Sequence, residues 1–484
     1  MSSASAARAL AQLWSKAGLP DDSLKAIALT GQDCLPSSFL LSEVAQATIG
    51  ASALAAAQLL ALRTGAPLVQ VTVDSKDAAA EFRSEQLATL DGEVGKVWDA
   101  LVGQYRAKDG GWLRPHTNWK HHKLGLLKML GLPETTGKKE LARAFAARDA
   151  NEVAEQAMKQ GLVVTALRSF EQWDATPQGK VASKLGGPVK LERLQPRPPK
   201  PLPPLNSRRP LEGVRVLDLT RVIAGPTAGR TLAAYGADVL WVTAPHLPTL
   251  PGLDADTSRG KRTSQLDLRP SCPADRATFT SLLKSADVLL QAYRPGALAS
   301  LGFSTPELLE INPDLVYATL SAYGEEGEWS QRKGFDSLVQ FAVGINEAEG
   351  RAYGEFVGRA EEEFEPKAMP CQALDHGSGY LLAFGIQAAL HRRATEGGAF
   401  KVENSLLGTA TWLRSFGRAP SSAFSHPLET KEELQARGGI EELVGFSGGR
   451  LESVRHAARF EGAEVGWRSA PRGYNDVAPA WLEL

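Results

Sequence analysis

The chain has 484 residues, more than one ordinary core accommodates, so two or three domains are expected. Its 43% apolar and 23% charged content is that of a soluble globular protein, and a net charge of -1 argues against a nucleic-acid or anionic-membrane partner. Three widely spaced cysteines, Cys34, Cys272 and Cys371, fit a reducing compartment and no zinc or disulfide framework.

Residues 6–17 predict an amphipathic helix. Its Ser/Ala-rich opening carries Arg8 and Lys16 and no acid before Asp21, so a cytoplasmic location is expected, with a mitochondrial one as the alternative. No run reaches the roughly 18 consecutive apolar residues that span a bilayer. Residues 53–62 predict a long apolar helix, followed by a turn at Gly65 and a strand ending at Val71. In Trp119-Lys120-His121-His122-Lys123 the paired histidines do not share a helix face, and no acid or cysteine is spaced for zinc, so a surface helix and no metal are expected. Residues 193–210, Arg-Leu-Gln-Pro-Arg-Pro-Pro-Lys-Pro-Leu-Pro-Pro-Leu-Asn-Ser-Arg-Arg-Pro, cannot form a helix or a central strand. They are expected to be an extended connector between 1–192 and 211–484.

Beyond the connector, strands alternate with helices. Val214-Arg215-Val216-Leu217-Asp218-Leu219 reads as a buried strand, and a helix runs from Gly225 to Gly236. Strands follow at 237–242, 286–290 and 315–320, the last two each preceded by a helical stretch. This order implies a doubly wound α/β fold with a parallel sheet. Ligands then belong at the carboxyl ends of the strands, which makes the 220–226 loop a natural contact. The first strand is not followed by Gly-x-Gly-x-x-Gly, which counts against NAD or FAD.

Asp375-His376-Gly377-Ser378-Gly379-Tyr380 leads into a long apolar helix. An aspartate here serves as a helix cap in many proteins. It is also a candidate nucleophile: Gly377 and Gly379 would let a ligand approach the backbone, and the helix N-terminus would keep Asp375 ionised and hold an oxyanion. The same helix, glycine turn and strand occur twice, at 53–71 and at 384–402. Aligning Val71 with Val402 sets Val44 opposite Asp375, with Glu43 one position away, so the first copy lacks the acid in register. Gly445-Phe446-Ser447-Gly448-Gly449 satisfies Gly-x-Ser-x-Gly, but no histidine follows Asp476 to complete a hydrolase triad, and a loop is expected.

Several blocks in order resemble the N-terminal half of the class III CoA-transferases, the CaiB/BaiF type. They are Leu211-Glu212-Gly213-Val214-Arg215-Val216-Leu217-Asp218-Leu219, Ala224-Gly225-Pro226, and Leu232-Ala233-Ala234-Tyr235-Gly236-Ala237-Asp238-Val239. Gly260-Lys261-Arg262-Thr263-Ser264-Gln265-Leu266-Asp267-Leu268, Ala286-Asp287-Val288-Leu289-Leu290-Gln291-Ala292-Tyr293-Arg294-Pro295 and Ile311-Asn312-Pro313-Asp314-Leu315-Val316-Tyr317 continue the series. Residues 1–192 resemble the family's C-terminal half, with a small α+β domain over 90–192, so the halves stand in permuted or partly duplicated order. The tail from Leu451 resembles a shortened second terminus.

The resemblance implies a doubly wound, Rossmann-like CoA-binding domain plus a smaller α+β domain. It implies an acyl-CoA:carboxylate CoA-transferase working through an aspartyl anhydride and an aspartyl-CoA thioester, with Asp375, Gly377 and Gly379 in the catalytic roles. Coenzyme A, as substrate, would meet Val222, Ile223, Leu266, Arg269, Ala292 and Tyr293, with Lys261, Arg262 and Arg294 as further basic contacts. A homodimer follows by the same resemblance. The strand ending Val242-Thr243-Ala244-Pro245 and Ser300 depart from positions that are basic in many relatives. An alpha-methylacyl-CoA racemase is the first alternative, but the segment that would carry its histidine reads Gly334-Phe335-Asp336, and phenylalanine moves no proton. An acyl-CoA-binding protein with weak catalysis is the second.

Overall fold

The structure is a computed structural model that describes residues 2–95 and 98–483. The chain opens with α1 (Ser2–Ala17), β1 (Ile27–Thr30), α2 (Leu41–Thr64), β2 (Val71–Asp74), α3 (Ser75–Glu81), α4 (Ser84–Leu87) and the short β3 (Thr89–Leu90) and β4 (Glu93–Val94). A small antiparallel sheet then forms from β5 (Tyr105–Arg106), β6 (Trp112–Pro115) and β7 (Val164–Ala166). It packs with α5 (Lys120–Leu130) and two further helices over a separate apolar cluster that includes Leu113, Leu126, Phe145 and Val153.

The main sheet has seven strands. β8 (Val189–Gln195) joins it from before the proline-rich segment, and β9 (Arg215–Asp218), β10 (Asp238–Thr243), β11 (Arg262–Gln265), β12 (Val288–Gln291), β13 (Val316–Ser321) and β14 (Ala399–Ser405) from after it. The order is β11-β10-β9-β12-β13-β14-β8, parallel throughout except for the antiparallel edge strand β8. Successive residues of a strand point to opposite faces. Val216, Val288 and Val316 accordingly pack on one face with α6 (Ala224–Ala234) and, after α7 (Asp336–Ala342), with α8 (Ala373–Thr395). Leu217, Leu289 and Tyr317 pack on the other face with Phe279 and Leu283 of the helix Pro273–Lys284. The expected doubly wound arrangement is therefore present. The chain continues through α9 (Leu406–Ser415) to β15 (Ile440–Val444), β16 (Arg450–Val454) and β17 (Ala458–Phe460).

The expected boundary at 193 falls inside β8. The stretch without helix or strand is 196–214, and the two portions share sheets: β8 pairs with β14, β17 with β2, and β16 with β3. Proline excludes sheet hydrogen bonding where it stands, which begins at Pro196, so the preceding Arg193-Leu194-Gln195 remain free to pair. Helices α2 and α8 also pack together, and Ser52 Oγ on one bonds Gln387 Oε1 on the other at 3.0 Å. Helix α2 contains an 18-residue window apolar enough for a membrane span, which a strict count of consecutive apolar residues overlooks, but 89% of that window is buried within the molecule. It is a core helix.

Buried charge knits these parts together. Arg230 on α6 bonds Asp256 at 2.7 Å, Arg259 forms an ion pair with the other carboxylate oxygen at 2.9 Å, and Ser84 Oγ of α4 donates to Asp256 at 2.7 Å. Lys261 is fully buried on Asp218 at 2.9 Å and on the carbonyl of Pro226. Removing one partner of such a pair strands the other charge, so Lys261→Ala is expected to destabilise the fold by about 3–5 kcal/mol, read as a lowered midpoint in urea unfolding. Lys261→Ala with Asp218→Ala should recover part of that loss.

Candidate active site

Asp375 is the third residue of α8 and is 8% exposed. Helix α8 runs back along the sheet, so its N-terminus stands at the carboxyl edge of β13, from which the chain leads to α7. The first residue of α7, Asp336, turns its carboxylate onto that helix end. The N–H groups of Leu374 and Asp375 donate to Asp336 Oδ2 at 2.8 and 3.0 Å, and Gln340 Nε2 also bonds Asp336. From the N-terminal portion, Glu85 of α4 places Oε2 at 2.8 Å from His376 Nε2. Phe82 stacks on His376 at 5.7 Å and on Tyr380 at 5.9 Å.

This arrangement reverses the expected ionisation of Asp375. Its carboxyl is held well above the ordinary carboxylate range by burial first, then by the charges of Asp336 and Glu85. Burial also pushes Asp336 up to about 6, against the pull of its N–H donors. The helix end favours a carboxylate, but the one it serves is Asp336.

The glycines have a different task from the expected one. A Cβ on Gly379 would lie 2.6 Å from Thr227 Cβ and 2.7 Å from the carbonyl oxygen of Ala224, so Gly379 is what allows α6 and α8 to meet. A Cβ on Gly377 would lie 3.2 Å from Thr409 Cγ2 of α9. Both are buried packing positions. The Gly379–Ala224 contact nevertheless sets Asp375, one helical turn earlier, close to the β9–α6 loop.

That loop lies where the sheet order reverses between β9 and β12, the crevice in which open α/β sheets bind ligands. Val222 has φ 76°, a left-handed conformation that costs a β-branched residue about 1–3 kcal/mol and is held by its surroundings. Ile223 is buried beside it. Ala292 and Tyr293 follow β12, and a Cβ on Gly225 would lie 3.0 Å from Ala292 Cβ, which places the two loops side by side. Leu266 and Tyr293 join one apolar cluster. Val222, Ile223, Ala292 and Tyr293 are thus gathered at one crevice, whereas Leu266 follows the edge strand β11.

The predicted basic contacts fare differently. Lys261 is the buried partner of Asp218, Arg262 forks onto Asp238 at 2.9 Å on both oxygens, and Arg269 forks onto Asp267 at 3.0 and 2.9 Å. Each is matched by a nearby aspartate that spacing alone does not reveal. Arg294 lines a cleft of about 380 Å³ together with Arg168, Arg332, Lys333, Glu155 and Glu328. Lys333 is shifted down by burial and then by Arg294. Lys333 and Glu85 are site groups that sequence reasoning did not single out. Lys333 had a signal, standing two residues before Phe335, whereas Glu85 had none.

Two other expectations change. His122 is buried, so α5 is no simple surface helix, although no cluster able to hold a metal ion exists among the described residues. At the entrance to α2, Leu40 has φ -76° and ψ 61°, and at the entrance to α8, Gln372 has -77° and 62°. The third helical residue is an acid in both, Glu43 and Asp375. Alignment on the strands misses this because α2 has 24 residues and α8 has 23. Glu43 is 6% exposed and burial pushes it up to about 7. Its three-stranded sheet β1-β2-β17 offers no counterpart of the β9–β12 crevice among the described residues. Ser447 is an exposed turn residue between β15 and β16, as expected for a loop.

Residues 211–417 match the profile of CoA-transferase family III. The chain carries a CoA-transferase family III domain. It is 31% identical over 319 residues to acetyl-coenzyme A transferase nodX of Hypoxylon pulicicidum, covering 59% of this chain and 52% of that protein. Over 227 residues it is 34% identical to the probable fatty acyl-CoA transferase Rv3272 of Mycobacterium tuberculosis, covering 44% of this chain and 55% of the relative. Over 299 residues it is 32% identical to formyl-CoA:oxalate CoA-transferase of Rhodopseudomonas palustris BisA53, covering 57% and 65%. The chain thus spans about half of the first two relatives. The family III domain ends just after α9, so Glu85 and Phe82 reach its Asp375 from outside the matched segment.

Because Asp375 holds its proton in the folded protein above its ordinary value of 3.8, it lowers stability as pH rises from there through its raised folded value. Asp375→Asn is expected to be more stable than the parent at pH 8, with the difference vanishing below pH about 4. Thermal midpoints measured across that range check it.

Proposed function

We propose that this protein is an acyl-CoA:carboxylate CoA-transferase in which Asp375 accepts the acyl group. The observation that carries the proposal is the position of a buried carboxyl at the entrance of α8, one turn from the Gly379–Ala224 contact at the start of α6, the helix that follows the β9 loop at the switch in strand order. The names of the relatives support the reaction class, since they act on acetyl-, fatty acyl- or formyl-CoA and, in one case, on oxalate.

Asp375 first gives up its proton to water, a step its environment makes harder than for an ordinary aspartate. The carboxylate then attacks the thioester carbon, the C–S bond breaks, and CoA leaves as thiolate. The thiolate attacks the aspartyl carbonyl of the mixed anhydride, releasing the donor acid and leaving an aspartyl-CoA thioester. The acceptor carboxylate attacks that thioester to form a second anhydride, and the thiolate carries CoA onto the acceptor while Asp375 is freed. Each step is an acyl substitution, so one hard transfer is divided into easier ones.

Val222, Ile223, Ala292 and Tyr293 supply the walls of the CoA crevice, and Arg294 and Lys333 its phosphate-facing charge. Full burial of Lys261 on Asp218 removes it from that role, whereas Arg262 and Arg269 would first have to leave the aspartates they pair with. Phe335 speaks against racemisation, because the position offers no proton carrier. A cytoplasmic homodimer without a metal completes the proposal, with the dimer supported by the resemblance alone.

A panel of acetyl-, formyl- and fatty acyl-CoA donors with oxalate and other carboxylic acceptors tests the proposal. CoA exchange is expected in the parent protein, and Asp375→Ala should lose at least about a thousandfold in rate. Exchange surviving in Asp375→Ala, or alpha-proton exchange in a 2-methylacyl-CoA without transfer, overturns the proposal. A second expectation concerns pH. Since only ionised Asp375 is nucleophilic, kcat should rise with pH along a limb lying above the ordinary carboxylate range, as burial, Asp336 and Glu85 require.

A further inference from the structure

The occupied end of α8 leaves a chemical need. Two of its N–H groups, those of Leu374 and Asp375, hold Asp336, and that of His376 turns back to the carbonyl of Gln372, so these three are not free to stabilise the oxyanion formed when Asp375 attacks a thioester. A donor on another element would meet that need.

The small sheet brings one. His116 follows β6 and is fixed by its N–H donating to the carbonyl of Val163 at 2.9 Å. Its ring lies parallel to Phe335, 8° between planes and 3.8 Å between centroids, and Trp98 closes its other side edge-on at 6.0 Å. Phe335 immediately precedes Asp336, whose carboxylate caps the helix of Asp375, so the stack lies one residue away from that contact. The His116 side chain belongs to a residue only 5% exposed, yet its Nδ1 has no hydrogen-bond partner among the described residues. Burial first, then the charges of Arg114 and His122, bring its ionisation down to about 3, so the ring is neutral at pH 7. A neutral imidazole donates from only one nitrogen, and it does so without adding a full charge. A buried donor without a partner costs folding free energy and is a candidate for use by a ligand.

We propose that His116 is a catalytic residue whose Nδ1–H donates a hydrogen bond to the acyl oxygen of the thioester and of the tetrahedral intermediate. As the bond from Asp375 to the carbonyl carbon forms, the C=O electron pair moves onto oxygen, facing Nδ1–H. As the C–S bond breaks the pair returns, and the proton stays on nitrogen throughout. The site therefore regains an imidazole from the small sheet at the very place where Phe335 stands, in an electrophilic role instead of a proton-moving one. The inference rests on Asp375 as the nucleophile.

The experiment compares His116→Phe, which keeps a ring on Phe335, with His116→Asn, which restores a donor. Loss of one such donor costs about 10²–10³ in kcat. His116→Phe is expected to lose that much, with KM for acyl-CoA within about twofold of the parent, and His116→Asn to recover at least tenfold of it. A purely structural role would move KM and the thermal midpoint and give no rescue by Asn. In a second measurement, acyl-CoA is bound to Asp375→Asn, and the infrared thioester carbonyl band should shift to lower frequency. That shift should disappear when His116→Phe is added. Unchanged kcat and an unchanged band in the His116→Phe proteins overturn the proposal while leaving Asp375 in place. Full exchange in Asp375→Ala overturns the nucleophile instead, and the carbonyl band still decides His116. A parent protein that binds no acyl-CoA overturns both.

Discussion

The carboxylate of Asp336 on the first turn of α8 is the contact on which the site depends. A helix end offers a limited set of N–H donors, and whichever acid takes them is the one that ionises readily. Here they serve Asp336, and Asp375 on the same turn is left buried beside two carboxylates. The protein thereby makes Asp375 harder to ionise than an ordinary aspartate. In the proposed mechanism release of its proton is part of turnover, and the buried acid is a stability cost.

Around that contact, the molecule is assembled from distant stretches. The strand and helix repeat of 211–405 forms the sheet and crevice, while α4 sends Glu85, α3 leads to Phe82, and β6 leads to His116. The salt bridges of Arg230, Asp256 and Arg259 fix α4 against α6, so the position of Glu85 is tied to the same helix that meets α8 at Gly379. Two elements of the site are therefore positioned by packing that lies outside the site.

Much of the fold was legible because periodicity and turn residues report local geometry. The strands at Val216, Val239, Val288 and Val316, the helix beginning near Gly225 and the long helix after Asp375 all occur close to where the pattern places them. The place of the 220–226 loop at the crevice was legible too, since strand order fixes it, whereas Ala292 and Tyr293 were pointed to by the family resemblance. What stayed hidden depends on partners remote in sequence. Nothing near Lys261 announces Asp218, nothing near Gly379 announces Thr227, and Glu85 and His116 have no local pattern at all. The ionisation of Asp375 could not be inferred from its own helix, because it is set by an acid on another one. The acid at Glu43 was obscured for a simpler reason, one extra residue in α2.

The pairing of β2 with β17 has a consequence for synthesis. The two strands lie near opposite ends of the sequence, at Val71–Asp74 and Ala458–Phe460. A ribosome adding about 5–20 residues per second leaves the edge of β2 uncovered for tens of seconds after it emerges. An uncovered strand edge is a template for pairing with other chains. The nascent protein thus carries its most adhesive edge through nearly the whole of its own manufacture, and its yield in cells should depend on whatever shields that edge until the last strand arrives.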